Sequence, residues 1–156
     1  MTRWRTRRRG TAPDRGAAAV EFAIVLSVLL LIIFGIIDFG RLLYVVQGMK
    51  SASREGARTA SVRADWAPSG TAGTIANSIT GSAAGPASLA GGTLTYSGVR
   101  GATTFTQAST SAVPLCTAAG PSTTITVSTT FRWFTPVFLF ASNINSVTQS
   151  TTMRCE

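Results

Sequence analysis

The sequence predicts an α+β chain in which a long N-terminal helix, half of it membrane-embedded, packs on a small antiparallel β domain. Three observations carry this. Phe22–Ile37 is a sixteen-residue run in which only Ser27 and Gly35 interrupt an otherwise apolar sequence. No Pro occurs between Asp14 and Ala67, so nothing breaks a helix that continues past the apolar run. From Trp66 onward the chain becomes rich in Thr, Ser, Ala and Gly, and Thr124–Phe134 alternates with period two.

Taken in order, Met1–Gly16 is Arg-rich, contains Gly10 and Pro13, and is expected to be a disordered basic leader. Ala17–Val46 has Glu21, Asp38 and Arg41 as its only charges, and it extends the sixteen-residue run on both sides past the roughly 20 residues a spanning helix needs. Gln47–Asp65 is polar and helix-compatible, so the helix should leave the membrane and run on, about 70 Å in all. Residues 66–156 then form an extracytoplasmic, β-rich domain. Ile75 and Ile79 make Thr71–Thr80 a short helix. Gly85-Pro86 and Gly91-Gly92 make Ser82–Gly92 a loop. Leu94–Val99 and Thr103–Ser109 read as strands joined at Arg100-Gly101, and Ser146–Arg154 as a last strand. In Thr124–Phe134 one face is Ile125, Val127, Thr129, Phe131 and Trp133. This face is expected to pack on the Val45–Val62 part of the helix. The apolar run Phe131–Ala141, which contains Pro136, either plugs the core or rests on the membrane or a neighbour.

The charge balance excludes whole classes of function. Lys+Arg is 14 against Asp+Glu 6, but six of the basic residues (Arg3, Arg5, Arg7, Arg8, Arg9 and Arg15) precede the apolar run. That is the layout of a targeting segment, so no nucleic-acid partner is expected. It should also hold the N-terminus in the cytoplasm and place the C-terminal domain outside. There is no His. The commonest general base and metal ligand is therefore missing, and no enzyme activity, catalytic residue, metal or cofactor is expected. Cys116 and Cys155 in an outside domain should form a disulfide, worth about 4 kcal/mol by chain entropy.

Glu21 is the unusual residue. A carboxylate in an apolar segment needs a partner or a function. If the chain is cut between Gly16 and Ala17, a new amino group appears one turn from Glu21, and in a bundle of helices it could pair with Glu21 of a neighbour. The bland alternative leaves Glu21 at the membrane interface near the Arg cluster. A conventional cleavage site after the apolar run is not supported by Asp38-Phe39-Gly40-Arg41, and no Cys stands near for lipidation. The apolar segment should therefore stay on the mature protein.

A stripe of small residues, Gly40, Gly48, Ala52, Gly56 and Ala60, recurs at multiples of four on one helix face. Helical Gly costs about 1 kcal/mol against Ala, which calls for a packing partner. For residues 48–60 that is the chain's own sheet or a neighbouring subunit's helix; the membrane part is left for an intersubunit contact. Asp38 with Arg41, and Glu55 with Arg58, are spaced to meet on the helix surface. Exposed pairs of this kind are worth only tenths of a kcal/mol.

The stretch from Arg15 to Ser61 resembles the N-terminal signature of TadE-like proteins, pseudopilins or minor pilins of the tight-adherence (Tad, Flp-type) pilus system. The resemblance rests on Gly16, Glu21 and Phe22, Phe34-Gly35, Asp38-Phe39-Gly40-Arg41, Tyr44 and Arg54-Glu55-Gly56-Ala57-Arg58. Phe131-Arg132-Trp133-Phe134-Thr135-Pro136 and Thr152-Met153-Arg154 are also similar to the family. The resemblance implies processing at Gly16 by a prepilin peptidase. It further implies assembly roles for Glu21, Phe22 and Asp38, with other pilin-like subunits and the assembly platform as partners. The β domain is too large for a major Flp pilin, which implies a minor component. The competing expectation is a membrane-anchored surface module, never cut and never assembled, serving adhesion or coating.

Overall fold

A computed structural model describes residues 15–62, 65–66, 74–109, 113–117, 120–134 and 145–156. Its first element is a single helix, α1 (Arg15–Ser61), 47 residues long. At about 1.5 Å per residue it extends about 70 Å. It is followed by β1 (Asp65–Trp66), α2 (Ile75–Ala90), β2 (Leu94–Arg100), β3 (Thr103–Thr106), β4 (Val113–Pro114), β5 (Ser122–Thr130) and β6 (Ser146–Arg154). The class is α+β with a membrane-type helix, as the sequence predicts. The expected basic leader lies outside the described residues except for its last two positions.

A four-stranded antiparallel sheet is ordered β3-β2-β5-β6, and a second, two-stranded sheet pairs β1 with β4. The register sets the faces. Tyr96 pairs with Val127 and Gly98 with Ile125, which puts the apolar set on one side. α1 and α2 cover that side. Val45, Met49, Ala52, Ala57 and Ala60 of α1 and Ile75, Ile79, Ala83 and Ala87 of α2 join Ile125, Val127 and Phe131 in one core. The expected packing of the β5 face on α1 is thus present. Val62 does not take part and is exposed.

Trp66 seals the far end of the core. Its ring lies 5.7 Å from Tyr96 and 6.0 Å from Phe105, and its indole N–H donates to the Thr106 carbonyl at 3.1 Å. Gly98 makes room for it: a Cβ there would lie 2.9 Å from the Trp66 ring. Arg100 donates to the Pro114 carbonyl at 2.9 Å and so fastens β4 to the main sheet.

Three expectations need correction. The stretch assigned to a loop from Ser82 is helical to Ala90, with Pro86 inside α2. Pro in a helix interior costs about 3 kcal/mol. Here its ring is buried over Gly48, where a Cβ would lie 2.1 Å from Pro86 Cγ, so tertiary packing overrides local propensity. Thr74 caps the start of α2 by accepting from Asn77 N–H, and Gly91, at φ +69°, ends it. The main strand begins at Ser122 and stops at Thr130, where Arg132 N–H turns away to the Ala90 carbonyl at 2.8 Å. Strand β3 ends at Thr106, short of the expected Ser109. The expected β6, Ser146–Arg154, is found with those bounds. Residues 135–141 of the apolar run lie outside the described residues.

Candidate functional site

The helix α1 divides at Asp38. Below it, residues 16–37 include one helical segment apolar and long enough to cross a membrane, with a mean hydropathy of 2.9. Apart from half-buried Gly35, every side chain in this part is exposed. Only another apolar medium can cover such a surface, and the helix suggests a membrane anchor. Even its one hydroxyl is satisfied internally: Ser27 donates to the Ala23 carbonyl at 2.8 Å.

Gly16, Ala17, Glu21 and Phe22 all lie in the first two turns of α1 and all are exposed. Gly16 is followed by a continuous helix, so the Gly16–Ala17 bond and the Glu21 carboxylate stand about one and a half turns apart.

Asp38 is the opposite case, only 1% exposed. Its Oδ1 takes Arg41 Nη1 at 2.8 Å, and its Oδ2 takes the backbone N–H of Phe134 at 3.1 Å. Arg41 also donates from Nη2 to the Leu89 carbonyl. Its guanidinium lies 3.9 Å from the centre of the Phe134 ring and 5.3 Å from that of Phe131. The expected exposed surface pair is therefore a buried clamp. It gathers α1, the last turn of α2 and the segment after β5 at one point. An i,i+3 spacing announces the ion pair; nothing in the sequence announces Leu89 and Phe134 as its further partners. Glu55 and Arg58 are both exposed.

The small-residue stripe also divides. Gly40 faces open space. Gly48 meets Pro86, and a Cβ on Gly56 would lie 2.5 Å from Ile79 Cγ1 and 3.2 Å from Ile125 Cγ2. Ala52 and Ala60 are fully buried. The upper stripe thus serves the chain's own domain, chiefly α2, with the sheet joining at Gly56.

The disulfide forms between Cys116 and Cys155, with Cα atoms 5.4 Å apart. Around it Cys155 N–H donates to the Pro121 carbonyl at 2.9 Å and Glu156 N–H to the Ser61 carbonyl at 3.3 Å. The end of β6 is thereby tied to the chain before β5 and to the last turn of α1.

The outer face of the main sheet carries hydroxyls. Thr95 pairs with Ser128 at 2.7 Å and Thr124 with Thr152 at 2.8 Å. An open concavity of about 350 Å³ lies over Thr95, Ser97, Thr106, Thr126 and Ser128.

Residues 16–58, all of them within α1, match the family model described as TadE-like protein. The match covers the N-terminal part of the resemblance and not its C-terminal elements at 131–136 and 152–154, and it suggests a Tad pilus-associated protein. Neither curated proteins nor solved structures give a match to the chain.

Proposed function

We propose that this chain is a membrane-anchored pseudopilin or minor pilin that takes part in assembling a tight-adherence, type IV-like pilus. A prepilin peptidase cuts between Gly16 and Ala17, leaving Ala17 as the new N-terminus. The amine of Ala17 in one subunit then pairs with Glu21 of its neighbour, and Phe22 packs in the same contact. The N-terminus starts in the cytoplasm and the C-terminal domain lies outside, on the side away from the Arg cluster. The partners are other pilin-like subunits and the assembly platform.

The observation that carries this reading is the division of α1 at Asp38. The half with the TadE-like glycine–glutamate arrangement has no cover from its own domain, whereas one face of the other half is built into the domain core. A bare apolar helix half suits a subunit that moves from lipid into a helical bundle without refolding its domain.

An uncut, permanently anchored surface module is the second reading. It draws on the hydroxyl-lined outer face of the sheet, which the core does not use. The intact mass of membrane-extracted protein, made with and without a co-expressed prepilin peptidase, separates the two. Loss of residues 1–16 only with the peptidase supports the pilin reading. Full-length mass in both samples removes it and leaves the anchored module.

A further inference from the structure

The end of the domain nearest the apolar half of α1 carries more exposed aromatic and aliphatic surface than its own core requires. Phe134 is 79% exposed although its backbone and one ring face are held by Asp38 and Arg41. Leu89, whose carbonyl Arg41 holds, is exposed as well, as are Phe39, Leu43 and Tyr44 within two turns of Asp38 on α1. Single exposed apolar residues are unremarkable, but this group is continuous with the bare helix below it.

The height of the group along α1 identifies its cover. Residues 16–37 are 22 residues, about 33 Å of helix, against a hydrocarbon core of about 30 Å. Asp38 therefore stands where hydrocarbon gives way to headgroups. Asp38 is also where the domain takes hold of α1, through Phe134. No length of bare polar helix separates the apolar segment from the domain, so the domain reaches down to the bilayer surface.

The charges agree. Asp38 is buried and paired with Arg41. The next acids along α1 are Glu21 and Glu55, each about 25 Å away along the helix axis. Arg132 is exposed beside Gly91 at the end of α2. Aromatic side chains with an adjacent Arg and, among the described residues of α1 near them, no carboxylate but the paired Asp38 match the apolar and anionic layers of a headgroup region.

We propose that this end of the domain is a lipid-docking surface, with Phe134 and Leu89 seated in the headgroup layer of the bilayer that α1 enters and Arg132 facing lipid phosphate. The proposal rests on the anchor reading of α1. It goes beyond it in assigning the folded domain, and not only the helix, a fixed seat on the membrane. The clamp at Asp38 is what presents the surface: it sets the height and tilt of the domain on α1.

Depth-dependent quenching in bilayers tests this. The full chain, as Trp4→Phe with Trp133→Phe, is reconstituted in phosphatidylcholine nanodiscs, leaving Trp66 as a constant buried background. Phe134→Trp is added as one reporter and Leu89→Trp as a second, each checked for a cooperative unfolding transition. Ile32→Trp reports on the helix alone. Lipids carry bromine either close to the headgroup or deep in the chain. Phe134→Trp and Leu89→Trp should lose most of their added emission to shallow bromine and little to deep bromine, with Ile32→Trp showing the reverse order. Quenching of Ile32→Trp with none at either domain reporter would overturn the docking while leaving the anchor standing. Absence of quenching at all three would remove the anchor reading itself. Domain reporters that ignore the lipid and respond only to a second protein copy per disc would assign the surface to that copy, and the lipid proposal would fall.

Discussion

Asp38 accepts the backbone N–H of Phe134, 96 residues further along the chain, at 3.1 Å. With Arg41 on its other oxygen, the carboxylate closes the domain onto the helix immediately above the apolar segment. An i,i+3 pair on a helix surface contributes tenths of a kcal/mol. This pair is buried, binds two further backbone groups from distant segments and lies under an aromatic ring, so removing it costs more.

Asp38→Ala should therefore destabilise the domain by about 3 kcal/mol, since it leaves Arg41 largely buried without its partner. Chemical unfolding of the full chain in micelles, with Trp4→Phe and Trp133→Phe so that the emission is that of Trp66, gives the number. Arg41→Lys should recover only part of it, because an ammonium cannot serve Asp38, the Leu89 carbonyl and two rings at once. Glu55→Ala, on the exposed side of the same helix, should leave the midpoint where it is. Equal effects of Asp38→Ala and Glu55→Ala would refute the clamp.

Substitution of the stripe glycines should split them by position. Gly48→Ala drives a methyl into Pro86, and Gly56→Ala drives one into Ile79. Each should cost about 1–3 kcal/mol as overpacking. Gly40→Ala meets nothing within 4 Å and should leave domain stability unchanged or raise it by up to about 1 kcal/mol through helix propensity. If Gly40→Ala impairs pilus assembly while the isolated subunit stays stable, the lower stripe belongs to a contact between subunits. Destabilisation by Gly40→Ala equal to that by Gly48→Ala would contradict the division.

What was legible in the sequence followed from strong, local signals. The absence of Pro gave α1, alternation gave the inner face of β5, and the small-residue spacing gave the packed face of α1. Local propensity does not reveal the second half of α2, because Gly81, Gly85 and Pro86 are all poor helix formers. Yet Ile75, Ile79, Ala83, Ala87 and Ala90 recur at helical spacing, and all are buried. That period was the usable signal, and it was hidden by alanines that only matter once a glycine face stands opposite them. Trp66 has no readable role, and Phe134 is readable only as one member of an apolar run whose cover stays open. Each acquires its role from a partner far away in sequence, Thr106 for the first and Asp38 for the second. Of the site, the ion pair was readable from its spacing but its burial was not, since burial came from α2 and the segment after β5.

The disulfide should stabilise the domain by about 4 kcal/mol, with 39 residues separating Cys116 and Cys155. Reduction, or the Cys116→Ser with Cys155→Ser double substitution, should lower the thermal midpoint and loosen β6 first. Amide exchange would show this as earlier labelling of residues 146–154 than of β2. Uniform labelling of the sheet would mean that the bond sets global stability without tethering that strand in particular.

Glu21 and Asp38 are the two carboxylates of the apolar-to-interface part of α1, and they should fail in opposite ways. Glu21 is exposed on a bare helix, so Glu21→Ala should leave the unfolding midpoint, the disulfide and membrane extraction as they are. Its effect should appear only where a second subunit supplies the amine of Ala17, as loss of incorporation into, or support of, the pilus after normal cleavage at Gly16. Glu21→Gln should behave like Glu21→Ala, because the amine needs a charge and not only a hydrogen-bond acceptor. Asp38→Ala should weaken the monomer first and assembly through it, whereas blocking cleavage with Gly16→Leu should spare the monomer and prevent the amine from forming. The decisive comparison is pilus production against monomer stability for these variants in one strain. If Glu21→Ala supports pili as well as the parent, the carboxylate is a solvated residue at the membrane edge, and the pairing of Ala17 with Glu21 is wrong.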